Sequence, residues 1–149
     1  MSEQEAEAAE ARVRKNFRQQ GFMKTIGAEL TRVASGEVWI TMAPTPATSQ
    51  QHGYVHAGVV TSLLDSACGY AALTLMPPES EVLSVEFKTN LLAPARGELL
   101  RAEATVLRSG RTLSVCRADA FAYQGGERVI VATMLGTMMR VVPGREVSR

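Results

Sequence analysis

The residue best placed to do chemistry in this sequence is Asp65, a carboxylate in the middle of an apolar stretch. Taking a carboxylate out of water is costly unless it is paired or functional. On a helical wheel its neighbours are small residues: Gly58, Thr61, Ser62, Gly69 and Ala72. Each glycine within a helix costs about 1 kcal/mol of stability relative to alanine. The close approach of a ligand or a second subunit would explain why such small residues surround Asp65 despite this cost. The residues alone also allow a structural reading, in which Asp65 is paired across a dimer interface or bonded to Ser62.

A second candidate feature is the helix start at His56-Ala57-Gly58. Unpaired backbone N–H groups and the positive end of the helix dipole could hold an anionic oxygen there. Ala57 and Asp65 are separated by about 12 Å along a helix axis, so a ligand that contacts both would have to reach along the helix. His56 is better explained as a helix cap than as a catalyst, and His52 as a loop residue. Zinc binding by the two histidines is disfavoured because both precede the helix.

The elements that must position these groups follow from periodicity. Residues 56 to 75 show apolar side chains at steps of three and four and end at Pro77-Pro78, which predicts one long helix. A hairpin is expected over residues 26 to 42, turning at Ser35-Gly36. Four strand-like runs follow the helix: residues 82 to 92, 97 to 108, 111 to 123 and 128 to 142. Alternate residues from Thr112 to Ala122 are small and would let a helix lie close. The order β-β-α-β-β-β-β predicts an α+β fold, an antiparallel sheet wrapped around one helix.

Composition narrows the class of protein. The chain has 149 residues, of which 46% are hydrophobic, and a formal net charge of +1, which fits one ordinary domain and argues against general nucleic-acid binding. The start of the chain has no apolar core of the kind a signal peptide needs, and polar residues interrupt the long apolar stretch, so we expect neither export nor a membrane span. Cys68 and Cys116 have neither metal-ligand spacing nor a nearby base, which favours small buried residues in a reducing cytoplasm. The expected units are an N-terminal helix or frayed arm of little functional weight over 1 to 22, a domain over 23 to 143, and a disordered tail over 144 to 149.

The string QQHGYVHAGVVTSLLDSACGYAA resembles the hotdog-fold thioesterases of the PaaI-like (phenylacetate-degradation) type. Their pattern is Asn-x-x-Gly-x-x-His-Gly-Gly, followed by an Asp nine residues after the His. Gln50, Gly53, His56, Gly58 and Asp65 occupy the matching places. Two positions depart from it: Gln50 stands for the Asn, as in one class of 4-hydroxybenzoyl-coenzyme A thioesterases, and Ala57 replaces the first Gly, which preserves the backbone donor. The resemblance covers roughly residues 20 to 142.

This resemblance implies an acyl-coenzyme A thioesterase that needs no metal or other cofactor. Ala57 would polarise the thioester carbonyl through its N–H, with Gly58 beside it, while Asp65 would attack the carbonyl or deprotonate a water, and Gln50 would bond the water or the thioester. Ser84 in LSVEF matches a position that helps hold the hydrolytic water from across the subunit interface, which implies a homodimer or homotetramer.

The remaining implied contacts are with the substrate. His56 and Arg96 join the RSGRT loop, formed by Arg108, Ser109, Gly110, Arg111 and Thr112, as expected coenzyme A contacts, since arginine suits phosphate recognition. Solvated charge at a turn is the alternative for these arginines. Two other functions stay open: a non-catalytic acyl-coenzyme A-binding hotdog protein, and a hotdog enoyl-coenzyme A hydratase, which is disfavoured because the chain lacks the proline-rich His-containing loop of such enzymes.

Overall fold

The computed structural model describes residues 1–144. These residues form three α-helices, α1 (Glu3–Gln19), α2 (Gly21–Thr25) and α3 (Ala57–Leu73), and a 3-10 turn over Pro46–Thr48. Six strands complete the chain: β1 (Ala28–Ala34), β2 (Glu37–Met42), β3 (Glu81–Leu91), β4 (Leu99–Ser109), β5 (Leu113–Gln124) and β6 (Glu127–Val141). The predicted order of strands around one long helix is confirmed. The tail predicted for residues 144 to 149 falls, apart from Gly144, outside the described residues.

The six strands form one antiparallel sheet in the order β1-β2-β4-β5-β6-β3. The sheet wraps around α3, which packs against every strand. The small-residue face predicted in β5 is buried, with Cys116, Ala118 and Ala120 fully covered. Because these side chains are short, the helix backbone can lie close to the sheet. Thr112 precedes β5 and is exposed.

Helix α3 begins and ends at residues that satisfy its free backbone groups. At the N-terminus, His56 Nδ1 accepts a hydrogen bond from the Gly58 N–H at 2.8 Å. At the other end, the Thr74 hydroxyl donates to the Ala71 carbonyl at 2.7 Å and accepts from the Gly36 N–H at 2.8 Å, which ties the helix to the β1–β2 turn. The helix is buried along most of its length, so it is the fixed element on which the site is built.

The N-terminal segment is a docked helix rather than a frayed arm. Val13 and Phe17 of α1 join the core, and the Phe17 and Tyr70 rings meet edge to face with centroids 5.7 Å apart. The Arg12 guanidinium donates to the carbonyl of Leu73, the last residue of α3, and to those of Met76 and Pro77 just beyond it. These contacts fix α1 against α3, since a cation there caps carbonyls that the helix cannot pair itself.

The two edges of the sheet differ in character. The β1 edge is short, carries a bulge between Leu30 and Arg32, and exposes only polar side chains, as is usual for a strand that stays unpaired. The β3 edge is longer and exposes apolar side chains on its surface, among them Leu83, Val85 and Phe87. A long apolar edge strand favours pairing with another chain.

Candidate active site

Asp65 lies on α3 facing β3, where it is held by one short hydrogen bond. The Ser84 hydroxyl donates to Asp65 Oδ1 at 2.6 Å. Ser84 can adopt this position because β3 runs beside α3 and a register shift falls between Ser84 and Glu86. Asp65 makes no salt bridge within the described residues. The Ser62 hydroxyl donates to the Gly58 carbonyl at 2.7 Å, so the alternative bond between Ser62 and Asp65 is not formed. Its carboxylate borders a cleft of about 130 Å³, which we call the acid cleft.

The wall of the acid cleft includes a chain of hydrogen bonds that begins on α1. Ser66 donates to Gln20 Oε1 at 3.4 Å, and Gln20 Nε2 donates to the Tyr70 hydroxyl at 3.2 Å. Tyr70 in turn donates to Asn16 Oδ1 at 3.1 Å, and Asn16 Nδ2 donates to the Glu81 carboxylate at 3.2 Å. Burial raises the pKa of Tyr70 to about 12, so its hydroxyl is neutral at ordinary pH. The acid cleft therefore has a polar wall built jointly by α1, α3 and β3.

A second, larger cleft of about 610 Å³ opens at the start of α3, and we call it the amide cleft. Gln50, His56 and Ala57 line one side of it, and Leu91 and Leu92 line the other. Ala57 is the first helical residue, and its N–H has no hydrogen-bond partner within residues 1–144. That N–H is the donor the sequence predicted for an oxyanion.

The expectation that Gly58 also offers a free N–H is wrong, because that group is bonded to His56 Nδ1. His56 is therefore the helix cap that the residue pattern favoured. A Cβ on residue 58 would come within 3.0 Å of His56 Nδ1, so glycine is what allows the imidazole to fold over the helix start. The capping leaves Ala57 as the donor that faces the amide cleft.

Gln50 is held at the rim of the amide cleft by its own turn. Its N–H donates to the Tyr54 carbonyl at 2.8 Å, and its side-chain Oε1 accepts from the His52 N–H. Within the described chain its amide nitrogen has no partner, which leaves Gln50 a donor for a ligand in the cleft. His52 is exposed in the loop, as predicted.

The acid and amide clefts of one chain do not meet at one thioester. A carbonyl bonded at its oxygen by Ala57 and approached at its carbon by Asp65 spans only about 7 Å between the two groups, from two contacts of about 3 Å and one C=O bond. The eight steps from Ala57 to Asp65 rise about 12 Å along α3, and an aspartate side chain is too short to close the gap. Ser84 shares a chain with Asp65, so the implied subunit boundary falls between this pair and the amide cleft.

The arginines expected to contact coenzyme A are spread over the two ends of the sheet. Arg96 borders a cleft of about 460 Å³ that shares Tyr54, Ala93 and Pro94 with the amide cleft. Arg108 and Arg111 lie beyond it, at the far end of β4 and in the turn that follows. The three arginines therefore do not lie together in the single chain, because the length of β4 separates Arg96 from the other two.

The turn from Ser109 to Thr112 lies at the same end of the sheet as the acid cleft. Gly110 donates its N–H to the Leu113 carbonyl at 2.8 Å, and the Thr112 carbonyl accepts from the Arg140 N–H at 2.8 Å. Strand register aligns Ser84 with Met138 and Met138 with Ser114, just past this turn. Each end of the sheet therefore carries one of the two clefts, together with its own arginines.

The two cysteines lie in the core, away from both clefts. Cys68 and Cys116 are fully buried, and burial raises the pKa of both thiols, that of Cys116 to about 11. They are inert small core residues at neutral pH, as predicted. Within residues 1–144 no three His, Cys, Asp or Glu side chains gather into a metal-binding group. In the same part of the chain no helix is long and apolar enough to cross a bilayer.

Sequence reasoning missed the polar wall of the acid cleft. Asn16 and Gln20 lie in a segment whose Ala, Glu and Arg content indicated only a surface helix. The one available signal was the pair Val13 and Phe17, spaced four residues apart, which marks a buried stripe on an otherwise polar helix. Asn16 and Gln20 sit next to that stripe and so face α3.

Comparison with known proteins places these features in a family. Residues 52–129 match the family model of the thioesterase superfamily. A thioesterase family protein from Silicibacter pomeroyi is 46% identical, with a TM-score of 0.89 over 90% of this chain and 98% of that one. The 1,4-dihydroxy-2-naphthoyl-CoA hydrolase of Listeria monocytogenes is 30% identical over 64% of this chain and 77% of its own length. The PaaI protein from the phenylacetic acid degradation operon of E. coli shares the fold, with a TM-score of 0.81 at 21% identity over 91% of this chain and 95% of that one.

Proposed function

The chain belongs to the thioesterase superfamily and is a thioester hydrolase of the hotdog fold, and from that premise we propose that it cleaves acyl- or aryl-coenzyme A at sites completed by two copies of the chain. The observation that carries the proposal is the separation of Ala57 from the Asp65–Ser84 pair into two clefts of one chain. A thioester can meet both only if a second copy supplies the missing half.

The exposed β3 edge fits such a pairing. If two β3 strands pair antiparallel about Phe87, Glu86 of one chain lies opposite the partner's Lys88, and the reverse pair forms by symmetry. Burial of Leu83, Val85 and Phe87, each between 43% and 52% exposed in the single chain, would drive association. The strand is thus complementary to itself in charge and in apolar surface.

The same register brings the two kinds of cleft together. Pairing about Phe87 places Ser84 opposite the partner's Asn90, next to the partner's Leu91 and Leu92, which line the partner's amide cleft. Asp65 and the partner's Ala57 would then face one space. By symmetry each dimer has two such sites, and a tetramer has four.

At this joint site each group has one task. The Ala57 N–H donates to the thioester oxygen and stabilises the negative charge that develops there. Asp65 either attacks the carbonyl carbon, giving a mixed anhydride that water cleaves, or takes a proton from the water that attacks. Ser84 orients the carboxylate through the 2.6 Å hydrogen bond, and Gln50 holds the thioester or the water. Coenzyme A leaves as the thiol, and the chemistry needs no cofactor.

The arginines are assigned to the phosphates of coenzyme A. In the proposed dimer, Arg96 at the amide cleft and the partner's turn with Arg108 and Arg111 come to the same end of the assembly, because the two-fold axis reverses β3. The separation seen in one chain is then removed. Guanidinium groups suit phosphate through paired N–H donors.

The direct test is release of coenzyme A from a panel of thioesters, followed with a thiol-reactive dye. Asp65→Asn should reduce turnover on every substrate by a factor of at least ~10² while the melting temperature stays near that of the wild type. Asp119→Asn is the matched control, since Asp119 lies on β5, away from both clefts, bonded to Arg117 and Thr133. The dye should not report the protein itself, because both cysteines are fully buried.

Three results would contradict the proposal. Near-normal turnover by Asp65→Asn would remove the assigned mechanism. Tight binding of acyl-coenzyme A without thiol release by the wild type would favour the non-catalytic binding protein, and hydration of enoyl-coenzyme A would favour the hydratase.

A further inference from the structure

The acid cleft restricts what can enter it. Coenzyme A is far too large for a space of about 130 Å³, so the part of the substrate that passes Asp65 into this cleft must be the acyl group. A cavity of about 150 Å³ holds one benzene ring. The volume that one chain contributes beside Asp65 thus favours an acyl group that is short or has at most a single ring.

The wall of the acid cleft is polar where the end of an acyl group would rest. Tyr70 lies five residues beyond Asp65 on α3, about 7.5 Å along the axis. Its hydroxyl and the Gln20 amide are bonded to each other, yet the amide keeps a second N–H and the hydroxyl a second lone pair. An apolar tail reaching this point would desolvate both groups without replacing their bonds to water, whereas a hydroxyl or keto oxygen could pair with them.

Charge at the cleft sets a further limit. Asp65 and Glu81 both line it, and within residues 1–144 no lysine or arginine does. A carboxylate on the acyl group would be repelled by both without a compensating cation. The acyl groups that fit are therefore neutral.

Gly69 stands one turn beyond Asp65 on the same side of α3 and lines the acid cleft. A Cβ built on it would meet only a Val82 methyl group, at 3.9 Å, so the fold of the chain itself does not require glycine here. Alanine would favour the helix by about 1 kcal/mol. The absent methyl group instead leaves its volume to the cleft.

We propose that the acid cleft is the acyl pocket and accepts a short neutral acyl group with a hydroxyl or keto function, with Gly69 setting the volume of the pocket and Gln20, the C-cap of α1, its polarity. This inference rests on the proposed function and adds a substrate class to it. It also assigns a specificity role to a helix whose sequence indicated none.

Two variants with opposite chemistry test the proposal by ratios of kcat/KM. The wild type should prefer 3-hydroxybutyryl-coenzyme A over pentanoyl-coenzyme A, which has the same number of heavy atoms in its acyl group, and butyryl- over octanoyl-coenzyme A, each on the order of tenfold. Gln20→Leu should lower the first ratio about tenfold, whereas Gln19→Leu, at an exposed neighbour outside the cleft, should not change it.

Gly69→Ala should lower kcat/KM for pentanoyl- relative to acetyl-coenzyme A about tenfold while raising the melting temperature. Gly21→Ala is the matched control, because a Cβ there has no atom within 4 Å and lies outside the acid cleft. A merely structural role would change all substrates by one factor.

The outcomes separate the inference from the function on which it rests. Thiol release that depends on Asp65, combined with a preference for octanoyl or pentanoyl groups or with ratios unmoved by Gln20→Leu and Gly69→Ala, overturns the inference alone. Thiol release that survives Asp65→Asn overturns the proposed function instead. The shifted ratios in both variants, with their controls unchanged, support the pocket assignment.

Discussion

If the site is shared between two copies of the chain, two inactive variants should restore each other. Asp65→Asn removes the carboxylate of the acid cleft, and Ala57→Pro removes the N–H of the amide cleft. Proline fits position 57 unusually well, since it is the first residue of α3 and the preceding His56 already has the extended ψ of 135° that proline requires. The substitution therefore deletes one donor and leaves the helix start in place.

The size of the effect follows from the symmetry of the proposed dimer. Each variant alone has a lesion in both of its sites, and loss of an oxyanion donor costs about 10²- to 10³-fold in rate. Random reassortment of equal amounts makes about half of the dimers mixed. In a mixed dimer one site has both lesions and the other has none, so one site in two is intact and the mixture regains about a quarter of the wild-type activity.

The assay is thiol release after the two variants, carrying different affinity tags, are co-expressed or unfolded and refolded together. Doubly tagged dimers purified from the mixture should reach about half of the wild-type activity per dimer. Asp65→Asn mixed with Asp65→Ala is the control, because both lesions lie in the same cleft and no combination gives an intact site. Activity of the first mixture no higher than that of this control would refute the shared site, since a site within one chain gains nothing from mixing.

Three other perturbations test separate parts of the structure. Arg12→Ala, which deletes three hydrogen bonds to carbonyls at and beyond the end of α3, should lower the free energy of unfolding in urea by about 2 kcal/mol, while Arg18→Ala, at an exposed position of α1, should change it by less than about 0.5 kcal/mol. Glu86→Lys should weaken the dimer about tenfold in sedimentation experiments by opposing the partner's Lys88, and the double exchange Glu86→Lys with Lys88→Glu should reverse the loss. Burial raises the pKa of Cys116 to about 11, so the folded state holds this proton more tightly than the unfolded state does. The stability that results is fully present below the unfolded pKa of about 8.5 and is lost as pH rises through 11. Cys116→Ala should therefore reduce the loss of unfolding free energy between pH 8 and pH 11, measured by urea unfolding.

Local chemistry in the sequence was enough to predict the scaffold. Helix α3 was expected over 56 to 75 and runs from Ala57 to Leu73, because the apolar period and Pro77-Pro78 fix it from both sides. The strands deviate from their predicted bounds by one or two residues, since glycines mark the turns between them. The sequence also predicts which face of β5 is buried, because every second residue is small and side chains of a strand alternate between its two faces.

The geometry of the site is harder to predict from the sequence, because it depends on individual hydrogen bonds. The pattern His56-Ala57-Gly58 indicates a helix start, but it does not show which backbone N–H the imidazole binds. In the structure His56 Nδ1 accepts a hydrogen bond from the Gly58 N–H. The hydrogen bond from Ser84 to Asp65 depends on the register of β3 against α3, which no local pattern encodes. The docking of α1 was missed because a helix that is polar on most of its surface is held by two apolar side chains and one arginine.

Strand β3 explains why the single chain looks incomplete. Its Val, Leu and Phe content predicted a strand, and in a finished antiparallel sheet one face of such a strand should be covered. In the structure Leu83, Val85 and Phe87 stay exposed, and so do Ser84 and Glu86 between them, because β3 is an edge with β6 on one side only. Because Ser84, the partner of Asp65, lies on this exposed strand, association and catalysis depend on the same strand in the proposed dimer. If the proposed dimer is correct, a substitution that prevents the pairing of the two β3 strands should therefore remove activity even with every catalytic side chain present.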